Sequence, residues 1–259
     1  LRQPQGLQVG SCSSLAQEVF VKIMRKKDFI ETYSKFVLQG NAGLFLGAGL
    51  SINAGYPSWR QLVQDMAKEI DLDASLETDL AGLVQFALNK SGRTRTRLVR
   101  LITDHFGEEK PIPDVFRILA RLPITRVWTT NYDTLIERSW RAQRKRLDVK
   151  SYDKDVMTEN PWSHAILYKM HGTVEHPSDV VISKSDYEEY RRKRASFLHL
   201  LMGQLISHHM LFLGLSFTDP NLSYLFMMIR EAFDHTPPEH FSIVRKPSRG
   251  DYSSKKLFD

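Results

Sequence analysis

Apolar positions along this chain fall into two rhythms. Short apolar segments within residues 41–46, 124–130, 165–170 and 210–213, of which Leu44-Phe45-Leu46 is the plainest, have the length of buried strands. Shorter strands are expected at 147–152, 180–183 and 241–244. Between them the period lengthens. Trp59, Leu62, Val63, Met66, Ala67 and Ile70 recur at helical spacing behind Ser58, a residue suited to capping a helix. Further helices are predicted over 80–88, 95–106, 113–121, 186–194 and 196–207, and one more carries Leu135, Ile136 and Trp140. Asp219-Pro220 opens another, with proline at the first helical position, where its missing N–H does no harm. Residues 1–14 are polar and glycine-containing and read as a loose arm, followed by a helix over 15–38. Apolar strands alternating with helices predict an α/β fold, a parallel sheet covered on both faces with a small helical module at about 58–122. The expected division is 1–40 for the arm and helix and 41–259 for the sheet domain.

Composition narrows the class without changing the fold. The 259 residues are 42% hydrophobic and 25% charged, enough for a real core. The longest apolar stretches, such as Met210-Leu211-Phe212-Leu213, are far too short to span a bilayer, so no membrane partner is expected. The first twenty residues show no charged start followed by an apolar run, and cytoplasmic residence is the expectation. A single cysteine, Cys12, excludes an internal disulfide and any multi-cysteine zinc site. The net charge of +6 suits an anionic partner: a dinucleotide, a nucleic acid or an acidic protein. Basic runs at Arg93 to Arg97, Arg141 to Arg146 and Arg191 to Arg194 read as solvated helix faces, and a nucleic-acid partner rests on charge alone.

The chemistry-bearing residues gather where strands end. Gly47-Ala48-Gly49-x-Ser51 stands between a strand and a helix, where glycines let a backbone approach a pyrophosphate and a helix N-terminus offers oriented N–H groups. Thr129-Thr130-Asn131-Tyr132-Asp133 puts an amide and a carboxylate at the end of a second strand. His171-Gly172 follows a third, and Gly214-Leu215-Ser216 follows a fourth, with Asp219 close behind. Four strands delivering small or polar residues to one kind of point predict a ligand crevice in a Rossmann-like, doubly wound sheet.

These segments, in this order, resemble those of sirtuins: the glycine motif with Ser51, the Thr-x-Asn-x-Asp segment, the His-Gly pair and the Gly-x-Ser turn. Gly55, Pro57 and Arg60 resemble remnants of the sirtuin Gly-Ile-Pro-Asp-Phe-Arg loop, with Ser58 and Trp59 replacing Asp and Phe. Protein-deacylating sirtuins carry a four-cysteine zinc module between the His-Gly pair and the Gly-x-Ser turn. Here that stretch holds no cysteine and reads as a hairpin plus helices. The pattern is similar to the sirtuin-like domains of bacterial anti-phage defence proteins, which hydrolyse NAD.

The resemblance implies an NAD+ glycohydrolase that releases nicotinamide and ADP-ribose, with NAD as substrate and no metal. Asn131 and His171 would carry the chemistry, and Gly47, Ala48, Gly49, Ser51, Arg60, Asp133, Gly214 and Ser216 would bind NAD. Asn131 would orient a water or hold ribose hydroxyls, His171 would take a proton, and Asp133 would bind the nicotinamide carboxamide or cap the following helix. The resemblance further implies a homo-oligomer and an ATPase or sensor protein as partner. A non-catalytic NAD or ADP-ribose-binding module and an NAD-dependent deacylase are the competing readings.

Overall fold

Runs of apolar residues with large side chains on both faces build the centre of the molecule. A computed structural model describes residues 7–15, 18–68, 70–92, 94–215, 219–232 and 239–245, with backbone only for 7–23, 230–232 and 245. In chain order it begins with β1 (Leu7–Leu15), β2 (Glu18–Met24), α1 (Lys26–Leu38) and β3 (Ala42–Leu46). A single helical turn, α2 (Ala48–Ser51), precedes α3 (Trp59–Lys68), α4 (Leu80–Lys90), α5 (Thr96–Phe106) and α6 (Asp114–Arg121). There follow β4 (Arg126–Thr129), α7 (Leu135–Ala142), β5 (Leu147–Lys150) and β6 (Ala165–Lys169). The chain continues through α8 (Lys184–Lys193), α9 (Ala195–Ser207), β7 (His209–Leu213), α10 (Pro220–Ala232) and β8 (His240–Arg245).

The sheet runs β2-β1-β8-β7-β3-β4-β6-β5. Its six strands from β8 to β5 are parallel, while β1 pairs antiparallel with both β2 and β8. This is an α/β, Rossmann-like sheet wound on both faces. Alternate residues of each central strand face opposite layers. Leu44, Leu46, Val127, Leu167, Leu211 and Leu213 pack with α1 and α3 to α7. Phe45, Trp128, Ile166, Tyr168, Met210 and Phe212 pack with α8, α9 and α10. Gln204 of α9 accepts a 2.7 Å hydrogen bond from the Trp128 indole, so the one polar edge of that ring is satisfied in the core.

Local chemistry explains the helix starts. Ser58 and Gln61 form a reciprocal cap: the Ser58 amide donates to Gln61 Oε1 at 2.8 Å, and the Gln61 amide to Ser58 Oγ at 3.3 Å. Ser183 and Asp186 do the same for α8. Three expectations are corrected. Leu7–Leu15 and Glu18–Met24, read as part of an arm leading into a helix, are two antiparallel strands that extend the sheet, and the helix begins only at Lys26. Residues 180–183 are buried but form no strand: the Val181 amide bonds the His171 carbonyl at 3.0 Å, and the segment leads into α8. The hairpin expected in this stretch is likewise replaced by a loop and helix.

Candidate active site

Strand register decides where the polar residues meet. Leu46 pairs with Thr129 of β4 and with Leu213 of β7, and Thr129 pairs with Lys169 of β6. Gly47, Thr130, Met170 and Gly214 therefore leave the sheet at one level. Asn131 and His171 stand two residues past paired positions on neighbouring strands. Winding direction also reverses here, because β3 leads to β4 on one side and β7 returns to its other side. Open α/β sheets bind ligands at such a reversal, outside the carboxyl ends of the strands.

The glycines first of all make a seam between two strand exits. The Gly47 amide donates to the Leu213 carbonyl at 2.8 Å and the Gly49 amide to the Gly214 carbonyl at 2.9 Å. A Cβ on Gly47 would stand 2.5 Å from the Gly214 oxygen, and one on Gly214, where φ is +69°, would stand 2.7 Å from the Leu50 nitrogen. Two amides expected to face a pyrophosphate are thus engaged within the protein, and a phosphate at this turn needs other donors. The turn opens on one α-helical turn rather than a full helix, and a short 3-10 turn, Ile52–Ala54, follows it and ends at Gly55 with φ +96°.

Behind the seam runs a directed chain of hydrogen bonds. Ser51 Oγ donates to Asp133 Oδ2 at 2.8 Å and accepts from Asn131 Nδ2 at 3.0 Å. Asp133 Oδ1 accepts from the Leu135 amide at 3.0 Å, so the carboxylate also caps α7. Ser51 has one proton and spends it on Asp133, which fixes the Asn131 amide with its NH2 toward Ser51. Asn131 Oδ1 remains buried with no hydrogen-bond partner among the described residues. Thr129 holds the turn, donating to the Leu46 carbonyl at 2.7 Å and accepting from the Asn131 amide at 3.0 Å.

Burial raises the Asp133 carboxyl above its ordinary pKa, opposed by the Lys169 ammonium and by the Leu135 and Ser51 hydrogen bonds. Lys169, 1% exposed, donates to the Asp133 carbonyl at 2.6 Å and to Glu137 Oε1 at 2.7 Å. It holds the Asn131 to Asp133 turn from beneath. Sequence reasoning missed this lysine, although a lone ammonium inside an apolar strand was a signal that it had a buried partner.

His171 is buried against Tyr187 and Tyr190 of α8, its ring edge-on to Tyr187 with centroids 5.5 Å apart. Its Nε2 lies 3.3 Å from Asp219 Oδ2 but out of line for a hydrogen bond. Burial lowers its pKa, with Asp219 pulling the other way. The imidazole is therefore neutral near neutral pH and able to accept a proton.

The structure thus brings Ser51, Asn131 and Asp133 into one network and sets His171 on the adjacent strand exit. Gly47, Ala48, Gly49 and Gly214 form the seam beside them. It does not draw Arg60 into the set: that guanidinium bonds the Ala74 and Glu77 carbonyls. Ser216 lies outside the described residues. Among the described residues no group of three or more His, Cys, Asp or Glu is placed to hold a metal, and no helix is long and apolar enough to cross a membrane.

Fold and site together define an open, doubly wound α/β protein with a polar cluster at the carboxyl edge of its sheet. Within that class, the SIR2-like domain family matches residues 125–258, more than half of the chain, and the chain belongs to that family. The matched region contains Asn131, Asp133, His171 and Gly214. Among similar proteins, the NAD(+) hydrolase ThsA of Bacillus cereus (strain MSX-D12) is 42% identical over 221 residues, 85% of this chain and 46% of that protein. The NAD(+) hydrolase ThsA of Enterococcus faecium is 43% identical over 238 residues, 91% of this chain and 50% of that protein. Defense-associated sirtuin 2 of Bacillus subtilis is 28% identical over 217 residues, 81% of this chain and 21% of that protein. The chain spans about half the length of the ThsA relatives it matches.

Proposed function

We propose that this domain hydrolyses NAD+ to nicotinamide and ADP-ribose as an effector of anti-phage defence. The observation that carries the reading is the buried Asn131 Oδ1, without a hydrogen-bond partner among the described residues and oriented by Ser51 and Asp133, beside a neutral His171. The names of the ThsA relatives support the substrate. In the reaction the bond between ribose C1′ and the nicotinamide nitrogen breaks, and its electron pair neutralises the pyridinium. No strong general acid is needed for that departure. The ribose becomes oxocarbenium-like and a water oxygen attaches at C1′. Asn131 Oδ1 accepts a hydrogen bond from that water or from a ribose hydroxyl, and His171 takes the proton released. NAD+ is consumed as substrate, and the chemistry assigned to these residues uses no metal.

Incubation with NAD+ is expected to yield nicotinamide and ADP-ribose in equal amounts. Asn131→Ala and His171→Ala each abolish the release while the protein stays folded by circular dichroism. Full turnover in both variants would refute the assignment. Calorimetric binding of NAD+ with no release by the full-length protein would instead mark a binding module. A homo-oligomer is the accompanying proposal, supported by Leu72, Leu76, Phe86 and Ile118, which leave apolar surface exposed on the helical module. Light scattering tests it, and a monomer at every concentration would overturn it.

A further inference from the structure

We propose that Asp219 is a positioning residue for the reaction, holding His171 in the tautomer protonated on Nε2 and leaving Nδ1 as the nitrogen that accepts the proton. The inference rests on the hydrolase reading above for its catalytic part and on geometry for the tautomer. Asp219 ends the connection from β7 and stands immediately before α10. Its Oδ1 accepts from the Asn221 and Leu222 amides at 2.9 and 3.1 Å, which caps the helix. Its Oδ2 is turned the other way, 3.3 Å from His171 Nε2 and 3.5 Å from the Tyr187 hydroxyl. A helix cap needs one carboxylate oxygen, so the second faces the imidazole while accepting from the Tyr187 hydroxyl at 3.5 Å.

The surroundings leave few competitors for that role. The charged and titratable groups around His171 are Asp219, Asp186 of α8, Arg194 at the end of α8, and the Tyr187 and Tyr190 hydroxyls. Asp186 is held by Arg95 at 2.8 Å and by the Ser183 amide at 2.9 Å. Arg194 is spent on the Ser151 and Asp179 carbonyls at 2.6 and 2.9 Å. Tyr190 donates to the Met170 carbonyl at 2.9 Å. Asp219 is the carboxylate in contact with the ring. An acceptor-only group opposite Nε2 favours the proton on that nitrogen, as the buried carboxylate does for the histidine of a serine-protease triad. The two atoms are already at hydrogen-bonding distance, 3.3 Å, and catalytic hydrogen bonds are often poorly aligned before substrate binds and tighten as it does.

Asp219→Asn makes a sharp test because asparagine caps a helix as well as aspartate does. The oxygen of the introduced amide stays on the Asn221 and Leu222 amides, so its NH2 faces His171 Nε2. That donor forces the imidazole proton onto Nδ1, the wrong nitrogen. The expected result is a kcat lower by on the order of 10³-fold, with KM within threefold and the unfolding midpoint unchanged. In parallel, 15N NMR of imidazole-labelled protein reports the tautomer of His171, assigned by its absence in His171→Ala. The spectrum is expected to switch from Nε2–H in the wild type to Nδ1–H in Asp219→Asn. A wild-type Nδ1–H tautomer, or an unchanged tautomer and kcat in Asp219→Asn, overturns the proposal. The NMR arm needs no turnover: a tautomer switch in a protein that never releases nicotinamide would refute the hydrolase reading and leave the positioning geometry standing.

Discussion

Replacing Asp133 by asparagine tests the direction of the hydrogen-bond chain rather than its existence. The Leu135 amide needs an acceptor at the start of α7, so the oxygen of the introduced amide takes the place of Oδ1. Its NH2 then faces Ser51 Oγ, where the wild type has a carboxylate oxygen at 2.8 Å. Ser51 now receives a proton from that side and must donate its own toward Asn131, whose amide flips. The group presented to the substrate changes from an acceptor to a donor with almost no change in shape. Losing a correctly oriented polar group at a reacting centre costs about 10²–10³-fold in kcat, or about 3–4 kcal/mol. Stability should move far less. Two hydrogen bonds to a charged group become neutral ones, each weaker by about 1 kcal/mol, but the burial that raises the Asp133 pKa no longer opposes a charge. The net change is expected within about 2 kcal/mol. Steady-state nicotinamide release at about pH 7, where histidine chemistry of this kind operates, and urea unfolding measure the two quantities on one preparation. A folded Asp133→Asn protein with kcat within threefold of wild type would refute the directed chain. So would a loss of activity matched by a loss of fold.

Three further predictions concern the scaffold. Gly214→Ala places a Cβ 2.7 Å from the Leu50 nitrogen at φ +69°, whereas Gly40→Ala meets nothing within 4 Å at φ +75°. The first should cost about 2–4 kcal/mol and the second about 1 kcal/mol, and equal losses in thermal unfolding would deny the seam its role. Lys169→Met leaves Glu137 and the Asp133 carbonyl without their cation. A loss of about 3–5 kcal/mol in urea is expected, partly recovered by adding Glu137→Gln, and a neutral single variant would contradict the buried tie. His240 is pushed down to about 4 by burial, its Nδ1 accepting from the Met210 amide at 3.2 Å. A depressed histidine pKa contributes stability above its ordinary value near 6.5 that is lost as pH falls toward 4. That amounts to about 3 kcal/mol. His240→Gln keeps an acceptor with no proton to gain, so its stability should fall less over that range, and parallel curves would exclude His240 as the source.

The central strands were readable because each is apolar on both faces, a pattern that only a doubly covered sheet rewards. The candidate site was readable for the same reason: Gly47, Asn131, His171 and Gly214 stand just past the ends of those strands. What escaped was whatever depends on backbone pairing or on partners distant in sequence. The strands β1 and β2 join the sheet through main-chain pairing, which Gly10, Ser11, Ser13 and Ser14 do not advertise. Val180, Val181 and Ile182 are as buried as a strand yet bond a strand exit instead of a ladder, and apolar run length cannot separate the two. The Asp133 alternatives, a ligand contact or a helix cap, meet an observed cap with a second duty toward Ser51. Asp219 reads in the sequence as a helix start and as a neighbour of the Gly214 turn, with no partner assigned to it. That its second oxygen faces His171 and Tyr187 became visible once the exit of β6 and the start of α10 were brought side by side.

Product analysis after mixing NAD+ with the wild type and with His171→Ala, each in the full-length protein, tests the central claim most directly. Equal amounts of nicotinamide and ADP-ribose are expected from the wild type, and intact NAD+ with His171→Ala. Equal release by both proteins, or intact NAD+ after prolonged incubation with the wild type, would contradict it.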